Sequence, residues 1–115
     1  KMKDYINLFH SMVSEIHFWN NLNRPDKLKI ISTFLDHFGN NEKLEECLLN
    51  IVKLENKELE NHLILARFYF SNNEYENCIK ICEDLLQLDE NNLEAIRIKA
   101  RSKEKYLYEK NRGKN

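Results

Sequence analysis

Residues 59 to 92 carry apolar and small side chains at spacings that few architectures accommodate. Leu65, Ala66 and Tyr69 form one group; Tyr75, Cys78, Ile79, Cys82, Leu85 and Leu86 form another. Steps of three and four residues place each group on one face of a helix. The polar run Ser71-Asn72-Asn73-Glu74 separates the two groups, and Leu88-Asp89-Glu90-Asn91-Asn92 closes the stretch. Neither narrow stripe buries itself alone. The helices must fold back as an antiparallel hairpin and then pack against neighbours.

The same 34-residue length fits the preceding segment, 25 to 58. Pro25 suits the first position of a helix, Leu28, Ile31, Leu35 and Phe38 give that helix an inward face, and Gly39 stops it as a left-handed cap. A helix from about Asn41 to Leu54 follows, with Leu44, Cys47, Leu48, Ile51 and Val52 inward, and Leu54-Glu55-Asn56-Lys57 echoes Leu88-Asp89-Glu90-Asn91. Upstream, residues 3 to 20 read as a leading helix with Tyr5, Phe9, Met12, Ile16 and Trp19 in one stripe, widened by Ile6 and Val13. Leu8 and Phe18 fall outside that stripe. A sixth helix starts near Leu93, with Leu93, Ile96, Ala100 and Leu107 expected inward and dense charge elsewhere, as a capping helix requires. Two Gly and one Pro in 115 residues leave little besides helix. The expectation is one all-α domain of about six helices: a leading helix (1–24), two hairpins (25–58 and 59–92) and a basic cap with its tail (93–115).

The stretch 59–92 resembles a tetratricopeptide repeat. His62-x2-Leu65-Ala66-x2-Tyr69 stands where the family has Trp-x2-Leu-Gly-x2-Tyr, and Cys78-x3-Cys82 stands at its Ala-x3-Phe positions. Glu replaces the closing Pro; Ala and Cys keep the small size that close helix contact needs. The resemblance implies a right-handed α-α superhelix and a binding scaffold in place of a catalyst. Its segment order also resembles the mitochondrial fission adaptors held by a C-terminal membrane helix, whose hinge is similar to Tyr75-Glu76-Asn77-Cys78-Ile79-Lys80. That narrower likeness is the alternative reading, and it would need an apolar run of about 20 residues after Asn115.

The chain has a net charge of −1, distributed unevenly: eight Lys or Arg against three Glu fall between Leu93 and Asn115. Such a tail can meet nucleic acid or an anionic membrane. Interleaved aromatics are confined to Tyr106 and Tyr108, which ranks nucleic acid below protein as a partner. Cys47, Cys78 and Cys82 are odd in number and sit on inward faces, as buried free thiols of a reducing, cytoplasmic setting do. His10 and His17 stand two turns apart, about 10 Å, too far to share a metal ion. Gly39 and Gly113 make no phosphate loop, and no serine sits in a nucleophile elbow. Neither an enzyme nor a cofactor is expected.

In the repeat family the first helix of each hairpin lines an inner groove. By that resemblance the groove holds Lys29, Thr33 and Asp36, then Leu63, Arg67 and Phe70, then Arg97 and Arg101. Basic residues around an apolar centre suit an acidic-hydrophobic peptide segment of a partner protein. The family's chaperone-tail carboxylate clamp is matched by Lys29 alone, since Thr33, Ile64, Glu94 and Ile98 take its other places. A structural subunit whose groove is filled by its own chain, or by a symmetry mate in a homo-oligomer, is a further alternative.

Overall fold

Among the described residues, 15–39 and 41–112, the computed structural model has six helical segments and no strand. They are α1 (15–21), α2 (Pro25–Phe38), α3 (Asn41–Leu54), α4 (Leu59–Ser71), α5 (Tyr75–Leu88) and α6 (Leu93–Arg112). The chain is therefore all-α, and it divides between Asn56 and Lys57 into two compact units.

In the first unit, α2 packs on α3 through Leu28, Ile31 and Leu35 on one side and Leu44, Cys47, Leu48 and Ile51 on the other, all buried. Cys47 sits between them, its thiol donating to the Leu28 carbonyl at 3.0 Å. Lys29 Nζ reaches Glu55 Oε1 at 2.7 Å. Phe38, expected inward, is exposed. It is the last residue of α2, and Gly39, at φ 75°, turns the chain away immediately after it. In α1, Ile16 is buried and Trp19 half-buried, with Lys27 Nζ 5.7 Å from the centroid of the Trp19 ring. Tyr5, Phe9 and Met12, with Ile6, Leu8 and Val13, lie outside the described residues.

The second unit stacks α4, α5 and α6, each in contact with the other two. Leu65, Ala66 and Tyr69 are buried as expected, and so are Tyr75, Cys78, Cys82 and Leu85. Ile81 is buried where Ile79 was expected to be; Ile79 is half-buried. The Cys78 thiol donates to the Ala66 carbonyl at 3.3 Å across the α4–α5 hairpin, and the Ser102 hydroxyl of α6 approaches Cys78 Sγ at 3.1 Å. Leu63, Leu85 and Ala95 form a shared core that Leu59, Leu86 and Ile98 flank.

For α6 the expected face is the wrong one. Leu93, Ile96 and Leu107 are 67%, 43% and 56% exposed and Ala100 is exposed too, while Ala95 and Ser102 are buried and Ile98 half-buried. Small side chains let α6 approach α4 and α5 closely, and close approach decides which face turns in. Its start is fixed by Asn92, whose Oδ1 accepts from the Ala95 backbone N–H at 3.0 Å.

The 34-residue period appears in the backbone as well as in the sequence. Helix starts recur from Pro25 to Leu59 to Leu93 and from Asn41 to Tyr75, and helix ends from Leu54 to Leu88, each 34 positions on. The left-handed turn residue recurs likewise, as Gly39 (φ 75°) and Asn73 (φ 62°). Asparagine tolerates that region better than most residues, and Asn73 Oδ1 also accepts the Tyr75 hydroxyl at 2.8 Å. The next position in the series, Leu107, lies within α6, which continues as helix to Arg112 where the two earlier repeats turn back.

Candidate partner-binding cleft

The second unit carries a cleft of about 260 Å³ at the α4–α6 seam, lined by Arg67, Phe70, Ser71, Ile98 and Arg101. The i, i+3 spacing of Arg67 and Phe70 on α4, and of Ile98 and Arg101 on α6, brings one cation and one apolar side chain to the seam from each helix. Phe70 is the floor. Its ring meets Tyr75 edge-on, with centroids 5.6 Å apart. The Arg101 guanidinium stands 5.4 Å from the Phe70 centroid, within cation–π range.

Arg67 is already engaged. Its Nε donates to Glu94 Oε1 at 2.8 Å, its Nη2 donates to the same oxygen, and its Nη1 reaches Glu60 Oε1 at 3.4 Å. The hydrogen bonds to Glu94 raise the Arg67 pKa above its ordinary value; burial opposes this, and the weaker pairing with Glu60 adds to it. The two arginines are thus unequal: Arg67 is neutralised from within, whereas Arg101 presents its charge beside an apolar wall.

Of the residues expected to line a groove, the structure brings Arg67, Phe70 and Arg101 together. Leu63 lies in the core, 6% exposed, because α6 covers that side of α4 with Ala95. It is a packing residue, with no surface to offer a partner. Arg97 is exposed on α6 outside the cleft lining. Lys29, Thr33 and Asp36 belong to the first unit, where Lys29 pairs with Glu55 and the Thr33 hydroxyl donates to the Lys29 carbonyl at 3.1 Å. Ser71 and Ile98 were missed. Ser71 follows Phe70 at the helix end, and Ile98 stands three residues before Arg101, so the α6 register was the missing signal.

The thiols make a poor reactive site. All three are free and buried. Burial pushes Cys47 up to about 12. Cys82 is raised by its hydrogen bond to Cys78 and then by burial. That bond, followed by the Ser102 hydroxyl, favours charge on Cys78, which burial opposes. His62 is buried with Nδ1 3.1 Å from the Glu58 carbonyl oxygen. Among the described residues no group of three or more His, Cys, Asp or Glu side chains is arranged to hold a metal ion. Nor, among them, is any helix long and apolar enough to cross a membrane.

No protein-family model matches this chain, and no curated protein does.

Proposed function

We propose that this protein is a non-catalytic repeat scaffold that holds a short acidic-apolar segment of another protein in the α4–α6 cleft. The observation that carries the reading is the pairing of Arg101 with Phe70 on one wall of a cleft that Ile98 completes. A carboxylate of the partner takes the Arg101 guanidinium fork, and a neighbouring leucine or aromatic side chain lies against Phe70 and Ile98. The helix hairpins and their 34-residue period support a scaffold of the tetratricopeptide kind. Glu94 and Glu60 fit the same picture, since they hold Arg67 in place as a partner carboxylate would.

The test is fluorescence anisotropy with labelled peptides that place Asp or Glu beside Leu or Phe. Arg101→Glu is expected to weaken binding by about tenfold or more, and Glu94→Gln to strengthen it by uncovering Arg67. Both positions are exposed, so thermal melts should shift little, in keeping with stability changes within about 0.5 kcal/mol. Equal affinity for wild type and for the double variant Arg67→Glu/Arg101→Glu, with melts unchanged, would remove the cleft from consideration. Binding that survives these changes but falls steeply with salt on an RNA probe would assign the basic helix to nucleic acid instead.

A further inference from the structure

The outward stripe of α6 is too regular to be scattered surface. Leu93, Ile96, Ala100 and Leu107 follow steps of three, four and seven residues, and all are exposed. In the 34-residue register Ala100 corresponds to Ala66, whose face of α4 is covered by α5 through the Cys78 contact. On α6 the corresponding face has no such cover among the described residues. We infer that a second copy of this chain supplies it, with two α6 helices packing antiparallel about Ala100.

Four features of the stripe fit a two-fold axis at that residue. Leu93 and Leu107 lie seven positions to either side, so each meets the other's counterpart. The ends of the stripe are about 21 Å apart at a helical rise of 1.5 Å per residue. Ala100 meets its own image at the crossing, where a small side chain lets the backbones approach. On one flank, Arg97 falls opposite Glu104 of the partner subunit, and Glu104 opposite Arg97 of the partner subunit. Neither has an ion-pair partner among the described residues. On the other flank the aliphatic stem of Lys103 lies along Ile96 of the partner subunit, its ammonium reaching water. An isologous contact demands this self-complementarity.

Seven Lys or Arg against three Glu give α6 a net charge of +4, so two such helices repel at long range, and salt screens that repulsion together with the Arg97–Glu104 attraction. One helix face is smaller than a standard interface, which makes the association weak and concentration-dependent.

Sedimentation equilibrium of the whole chain from about 10 µM to about 1 mM covers the affinities expected of such a contact. Wild type should dimerise reversibly. Arg97→Glu and Glu104→Arg should each weaken the dimer by about tenfold or more, since each converts two attractive pairs into two repulsive ones. An equimolar mixture of the two variants should recover wild-type association, because each heterodimer pair is again opposite in sign. Ala100→Glu should abolish it. Unchanged melts would confirm that these exposed substitutions leave the fold intact. A chain that stays monomeric at about 1 mM, or a mixture no tighter than either variant alone, overturns the proposal.

Discussion

Leu85→Ala is expected to lower the stability of the α4–α6 unit by about 2–5 kcal/mol. Leu85 is fully buried and packs with Leu63 of α4 and Ala95 of α6. Truncation therefore opens a cavity where three helices meet. Each wall is held by contacts elsewhere, Cys78 with Ala66 and Ser102 among them, so collapse into the gap is restricted and the cost should approach the upper half of the range. The measurement is the denaturant midpoint, with the slope compared between variant and parent to confirm that the same surface is exposed. A midpoint unchanged within error would mean that α5 presents a different face to its neighbours.

Leu35→Ala should cost a similar amount, about 2–5 kcal/mol, in the other unit. Leu35 is fully buried on α2, four residues after Ile31 and facing α3. Native-state hydrogen exchange separates the two outcomes: protection should fall in α2 and α3 for Leu35→Ala and in α4 to α6 for Leu85→Ala. If either substitution lowers protection equally throughout, the two units open as one cooperative block.

The four hairpin helices were legible from inward positions that are mostly apolar, although Ile30 and Phe34 of α2 and Ile64 of α4 stay exposed. Leu28, Ile31 and Leu35, or Cys78, Cys82 and Leu85, satisfy periodicity and hydrophobicity at once. Turns were legible for a similar reason: Pro25 fits only a helix start, and Gly39 only a left-handed stop. The register of α6 was not, because there the two criteria conflict. Leu93, Ile96 and Leu107 have the hydrophobicity, yet Ala95 and Ser102 have the size that lets the helix seat against Leu63 and Cys78. Sequence patterning weighs hydrophobicity and is blind to approach distance. Leu63 followed the same error, since its burial depends on the face that α6 presents. The cleft was half legible: Arg67, Phe70 and Arg101 could be named from repeat positions, but not the internal neutralisation of Arg67, which depends on Glu94 arriving from a helix 27 residues away.

The sealed cysteines give each unit a clock of its own. Cys47 lies in one unit, and Cys78 with Cys82 in the other, all at 0% exposure. A thiol reagent in solution cannot reach any of them in the closed structure, whatever fraction is ionised. When reclosing outpaces the reagent, the labelling rate is the intrinsic thiol rate multiplied by the fraction of time that unit spends open. Mass spectrometry that resolves Cys47 from the other two would then read the opening of each half separately, in the unmodified chain and without a probe being introduced.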